Sequence, residues 1–228
     1  VGQTGVSITG PGRIDGNGRA FILDRKGNRA GRKRDIAWRP AQMVYLANCT
    51  DVRITDVEMS DSPYWTCFIL NCRRVSVRGA YVHTSRRPHT FNGDGLDIDR
   101  CRDVTISDCH IDTADDCITL RASCGRLLEK PQDCANVTIA NCNLSSSCNG
   151  IRFGVGEGRI HDVTVTGLTI TETPTAINFV AAYSPKTRGT DITDVRISEC
   201  VIRAQRFLDM CHGHAKEALF ANLVFMGI

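Results

Sequence analysis

Three aspartates carry most of the chemistry that this chain can offer. Asp94 lies in Asn92-Gly93-Asp94-Gly95-Leu96-Asp97-Ile98, and Asp115 and Asp116 are adjacent in Thr113-Ala114-Asp115-Asp116-Cys117-Ile118. Aligning short alternating segments on Leu96, Ile118, Ile151 and Ile177 puts Asp94, Asp116, Asn149 and Thr175 in one column, each two residues upstream of its reference. If those segments stack as parallel strands about 4.8 Å apart, Asp94 and Asp116 become neighbours on successive layers, with Asp115 beside them. Like charges so close raise one another's pKa, and at least one carboxyl should keep its proton near neutral pH. One protonated and one ionised carboxyl form the pair that acid/base hydrolysis of a glycosidic bond requires. A lone Asp at a turn more often serves as an Asx turn or a solvated corner. A cluster of three is different, and its physical competitor is calcium, which also seeks several carboxylate oxygens.

Such a column needs a stack of strands, and the sequence contains a repeat that builds one. A V-x-I/V pattern recurs at Val6-Ser7-Ile8, Val52-Arg53-Ile54, Val75-Ser76-Val77, Val104-Thr105-Ile106, Val137-Thr138-Ile139, Val163-Thr164-Val165 and Val195-Arg196-Ile197, and Leu223-Val224-Phe225 continues it. From Val52 the steps are 23, 29, 33, 26, 32 and 28 residues, the irregularity expected of variable loops on a constant coil. Residues two apart share one face of a strand, so each coil offers an apolar inner and a polar outer face. No helical period is sustained. The expected fold is therefore all-β, a parallel β-helix, with residues 1–228 as a single solenoid domain. Val1 and Ile228 both fall inside the repeat, which suggests the central part of a longer protein, truncated at both ends.

The cysteines follow the same register. Cys49, Cys72, Cys101 and Cys134 lie three residues before the repeat Val, and Cys109, Cys142 and Cys200 lie five after it. Other coils carry Ile160, Ile192, Phe220, Val57, Ala80 or Leu168 at these offsets. A position open to Cys, Ile, Phe, Leu, Val and Ala is an interior one, where free Cys acts as a small hydrophobe. Cys67, Cys124, Cys148 and Cys211 stay open as disulfide partners, and Cys117 is expected to be buried. The spacings fit no zinc motif, and no metal is expected.

Composition narrows the function classes. With 228 residues, 42% hydrophobic, the chain has enough apolar material for one continuous core and little for a second. Its net charge of +3 is small, and the basic residues bunch between Arg25 and Arg39, where a solvated loop is the ordinary reading. No aromatic interleaving accompanies them, so nucleic acid is not expected as a partner. No apolar run is long enough for a membrane span, and no signal segment opens the chain. A monomer is expected.

The two aspartate segments resemble the paired Asn-Thr-Asp and Gly/Gln-Asp-Asp motifs of family 28 glycoside hydrolases, the polygalacturonases and rhamnogalacturonan hydrolases. Ile8-Thr9-Gly10, Gly12-Arg13-Ile14-Asp15-Gly16-Asn17-Gly18, Arg39-Pro40 and Ser62-Pro63-Tyr64-Trp65 occur in that family's order. The resemblance implies a right-handed parallel β-helix of the pectinase type and hydrolysis with inversion, without cofactor or metal. By it, Asp115 is the general acid, while Asp94 and Asp116 hold and activate water. The implied substrate is acidic pectic polysaccharide of the plant cell wall, and the implied location is secreted or periplasmic. Asn92 joins the substrate-binding set.

The chain departs from the family at two places. Cys148-Asn149-Gly150 stands where the family has Gly-His-Gly, and Asn178 and Val180 stand where it has the Arg and Lys that clamp a galacturonate carboxylate. A neutral amide and a Val cannot make that contact. Arg152, at the same strand offset one coil earlier, is expected on the outer face as a substitute cation, with Arg121 as a second. Arg86-Arg87-Pro88-His89 offers a candidate rim for acidic sugar through Arg86 and His89. Tyr64 and Trp65 offer either a stacking surface or buried packing. Rhamnogalacturonan-type members of the family vary at the same positions, so the resemblance favours rhamnogalacturonan over plain homogalacturonan. Two alternatives remain: a calcium-dependent polysaccharide lyase with an Arg base, and a non-catalytic carbohydrate-binding solenoid.

Overall fold

The computed structural model describes residues 1–22, 39–86, 90–123 and 132–228. Apart from one short helix, Arg19–Ile22, its regular elements are all strands, and every pairing among them is parallel. The chain winds as a right-handed parallel β-helix with three strands to a coil. One coil reads Arg73–Arg78, Tyr81–His83, Leu96–Asp99, and the next reads Arg102–Ser107, His110–Thr113, Ile118–Ala122.

The first strands of the coils form an eight-stranded sheet in which Val52, Val75, Val104, Val137, Val163, Val195 and Leu223 pair in one unbroken row. The repeat thus gives the register without a slip. The second and third strands form two further faces, joined late in the chain where Thr169–Ala182 and Val201–Gly213 run through both without a break. The third face carries the aspartates and is called the site sheet below.

Turns are set by residues that tolerate the left-handed region. Asp51, Asp103, Asn136, Asp162, Asp194 and Asn222 each have φ between 52° and 59° immediately before the repeat residue. Asn and Asp accept that conformation because their side chains bond locally to backbone. Several stack into ladders: Asn71 Nδ2 donates to Asn48 Oδ1 at 2.7 Å, Asn136 to Asp103 at 2.7 Å and Asn222 to Asp194 at 2.6 Å.

Inside the coils runs one continuous apolar core from Val44 to Cys200, and Phe153 stacks on Phe179 at 4.6 Å between centroids. Each buried Val, Leu or Ile contributes about 1.5–3 kcal/mol of transfer free energy. The thiols take their expected places. Cys49, Cys72, Cys101 and Cys134 are buried in one interior row, the backbone N–H of Cys49 meeting Cys72 Sγ at 3.3 Å and that of Cys72 meeting Cys101 Sγ at 3.4 Å. Cys109, Cys142 and Cys200 form a second buried row and Cys117 is buried. Of the four left open, Cys67 is a free core thiol, Cys148 is free and half-buried, and Cys211 is free and exposed. Cys124 lies outside the described residues.

Candidate active site

The pairing Asn149↔Thr175 and the registers Leu96↔Ile118↔Ile151↔Ile177 carry Asp94, Asp116, Asn149 and Thr175 into one column at the start of the site sheet. Successive coils approach closely there. A Cβ on Gly95 would stand 2.5 Å from the Cys117 carbonyl oxygen, so the residue after Asp94 has to be glycine.

Asp116 is the anchored member. Asn149 Nδ2 donates to its Oδ1 at 2.6 Å, and Arg152 Nε donates to its Oδ2. Both oxygens therefore accept, one of them from a cation, and charge-assisted bonds of this type are the strong ones. Asp94 is 3% exposed, its Oδ2 lies 3.9 Å from an Arg152 terminal nitrogen, and its Oδ1 has no hydrogen-bond partner. Burial, reinforced by Asp97, Asp115 and Asp116, holds the Asp94 carboxyl well above the usual carboxylate range. Asp115 is less enclosed. Burial and the neighbouring Asp116 push its carboxyl up as well. Its backbone is pinned, because Thr113 Oγ1 and Ser146 Oγ both donate to its carbonyl oxygen at 2.6 Å. One carboxyl group tied to donors stands beside two whose proton affinity is raised by burial and by their neighbours.

Arg152 differs from its expected role. Strand alternation puts it on the outer face, but there it is 4% exposed, bonded to Asp116 and Gly154 O, with the Tyr183 ring centroid 5.8 Å from its guanidinium. It neutralises the aspartates and is not a free cation for substrate. Arg121 is also committed: it lies over Trp65 at 4.8 Å and within 4.0 Å of Asp97 and 3.8 Å of Asp99. Asn178 gives its amide to Asp209 at 3.3 Å, one coil beyond Arg152. Val180 is buried, so a Lys there would have to bury its ammonium. Arg86 is bound away from the aspartates, to Asp112 at 2.5 Å, to Ser145, and to Glu172 at 3.7 Å. His89 lies outside the described residues, as do residues 25–38 of the basic run.

Four contributors were given no site role from sequence. Arg39 holds Asn92 Oδ1 at 3.1 Å, donates to the carbonyls of Pro63 and Phe91, and lies 4.3 Å over the Tyr64 ring. Asp97 is fully buried, accepts from Thr119 Oγ1 at 2.6 Å, and is raised to about 6 chiefly by burial. Arg206, paired with Thr175, extends the aspartate column to an exposed strand cation that lies 3.3 Å from Asp209. Cys148 lies at the centre, accepting from Asn149 Nδ2 at 3.2 Å. Burial and the two aspartates push its thiol up, so it stays neutral. Tyr64 and Trp65 stack at 5.2 Å, and Trp65 packs on Phe68, making an aromatic shoulder beside the aspartates.

Among the described residues, the one convergent group of three potential metal ligands is Asp115, Asp116 and Cys148, with ligand atoms within 4.8 Å of one another. A thiol is a ligand for soft ions, whereas calcium takes about six to eight oxygens, which this group does not supply.

The comparisons with known proteins agree with this architecture. The profile of Glycosyl hydrolases family 28 matches residues 2–193, and the chain belongs to that family. A probable polygalacturonase of Arabidopsis thaliana is 26% identical over 189 residues, covering 73% of this chain and 38% of the plant protein. Among solved structures, the Yersinia enterocolitica family 28 exopolygalacturonase superposes with a TM-score of 0.67 at 16% identity, over 98% of this chain and 47% of its own. The endo-xylogalacturonan hydrolase of Aspergillus tubingensis gives 0.63 at 18%, over 90% and 53%. The chain thus spans roughly two fifths to half of the length of these relatives. No helix among the described residues is long and apolar enough to cross a membrane.

Proposed function

We propose that this chain carries the catalytic centre of an inverting glycoside hydrolase acting on pectic polysaccharide, of the polygalacturonan or rhamnogalacturonan type. The observation that supports this reading best is the unequal treatment of the three carboxyls. Asp116 accepts from Arg152 and Asn149, while burial and neighbouring carboxyls raise the proton affinity of Asp94 and Asp115. Asp115 is then the general acid: it gives its proton to the glycosidic oxygen as the bond to the anomeric carbon breaks. Asp116, with Asp94, orients water on the opposite face and takes up its proton as the new bond forms, which inverts the anomeric centre.

Asn149 fills the part that a His plays elsewhere in the family by holding Asp116 through a neutral amide. The absence of an Arg and a Lys at positions 178 and 180 argues for a sugar other than galacturonate at the cleavage point. Work on a cell-wall polymer implies a secreted or periplasmic place of action. The test is digestion of homogalacturonan, rhamnogalacturonan and xylogalacturonan, with the anomeric configuration of new reducing ends followed by proton NMR. Initial release of the inverted anomer from one of the three supports the reading. Unsaturated, ultraviolet-absorbing products that vanish with chelator would replace it with the lyase, and no cleavage of any polymer would leave the binding solenoid.

A further inference from the structure

A cavity of about 350 Å³ opens beside the aspartates, lined by Ser123, Val155, Glu157, Tyr183, Ser184 and Thr187 among others. A β-bulge borders it. The register runs Leu120↔Phe153 and then Ala122↔Gly156, so Asn149–Gly156 carries one extra residue exactly where Val155 meets the cavity. Bulges redirect side chains and break pairing, and they collect next to active sites. The cavity adjoins the catalytic centre across one side chain, since the Tyr183 ring that lines it also lies 5.8 Å from the Arg152 guanidinium.

The chemistry of the lining selects against a uronate. Among the described lining residues no Arg, Lys or His occurs, and the one formal charge is the carboxylate of Glu157. An anionic sugar would meet a like charge with no counter-cation among those described lining residues. A neutral sugar would find the Glu157 carboxylate and the hydroxyl oxygens of Ser123 and Ser184 as acceptors for its hydroxyl groups, with an exposed aromatic ring for its apolar face. The volume lies at the low end of the roughly 300–1,000 Å³ of ligand sites and suits one sugar residue, not a chain.

We infer that this cavity is a subsite for an uncharged sugar of the substrate, adjoining the cleavage point and reached over Tyr183. The inference rests on the hydrolytic reading of the aspartates and adds to it the class of one of the sugars recognised.

The test compares kcat/KM of wild type, Tyr183→Ala and Glu157→Arg on two oligomers of equal length, a linear oligogalacturonate and a rhamnogalacturonan fragment, with folding checked by circular dichroism. Both variants should lose about tenfold on the rhamnose-containing oligomer relative to the oligogalacturonate. Equal losses on both oligomers would assign Tyr183 to support of Arg152 alone, and no loss on either would leave the cavity without a sugar; either result overturns the inference. If wild type cuts neither oligomer, the hydrolytic reading fails by itself. Calorimetric binding of the same oligomers to Asp115→Asn, with and without Glu157→Arg, still reads the cavity. Weaker binding of the rhamnose-containing oligomer alone upholds the subsite, and unchanged binding overturns it.

Discussion

Removing the Arg152 guanidinium should move the whole pH profile of the reaction upward. Arg152 is 5% exposed in its side chain, donates to Asp116 and stands 3.9 Å from Asp94, so solvent screens these contacts little. At that separation and an effective dielectric near 20, one unit charge on another is worth about 4 kcal/mol, an upper bound equivalent to about three pKa units. The guanidinium lowers the proton affinity of both Asp94 and Asp115. In Arg152→Met the Asp94 carboxyl holds its proton to higher pH, which on the proposed mechanism shifts the acid limb up. Asp115 also keeps its proton longer, which shifts the alkaline limb up. The expected displacement is about one to three pH units in kcat/KM against pH, with Arg152→Lys between the variant and wild type. Unpairing a buried charge also costs about 3–5 kcal/mol of stability, so the profile is measured well below the melting temperature of the variant. A folded Arg152→Met enzyme whose two limbs stay where they are in wild type would refute the electrostatic role of the arginine.

Three further outcomes follow from the same geometry. Asp115→Asn should lower kcat by at least ~10²–10⁴-fold while KM changes little, since the amide keeps the shape but has no catalytic proton; near-normal turnover would remove Asp115 as the acid. Asp94 has a folded pKa raised above its unfolded one, so its favourable contribution is complete below the unfolded value near 4 and is lost as pH rises through the folded value. Asp94→Asn should therefore raise the melting temperature at neutral pH and change it little near pH 4; an equal effect at both would contradict the assignment. Cys211 should react with a maleimide in the native state, while Cys49, Cys72, Cys101 and Cys134 stay unlabelled until denaturant is added; peptide mapping showing native labelling of that row would disprove the register.

Much of this architecture was legible because a parallel solenoid writes its register into the sequence. The repeat Val row, the two cysteine rows and the Asp94–Asp116–Asn149–Thr175 column all follow from counting, since a two-residue period fixes which side chains face in. What counting does not reach is depth along the outer face. Arg152 points outward as the alternation requires, yet Asp94, Asp116 and Tyr183 enclose it. Arg86 is only eight residues from Asp94 in sequence but bonds to Asp112 and Glu172, which stand on the strands His110–Thr113 and Thr169–Ala182 and not beside the aspartates. Asp97 carries no sequence signal beyond its place in a strand, and its burial depends on Thr119 and Arg121 from the next coil. The bulge at Val155 interrupts the period itself, so the cavity beside it has no periodic signature.

The aspartate column has a mechanical meaning as well as a chemical one. Asp94 comes from one coil, and Asp115, Asp116 and the Arg152 that ties them come from the next two, so the centre exists only where three neighbouring layers are seated on one another. In a stack whose stability is nearly a sum of nearest-neighbour terms, fraying at either end leaves those contacts intact until it reaches them. Loops can lengthen at the coil corners without altering the spacing of the carboxyls, whereas slippage of a single layer would dismantle it. Activity in such a molecule would serve as a local gauge of layer stacking, sensitive to two interfaces and indifferent to the rest of the column.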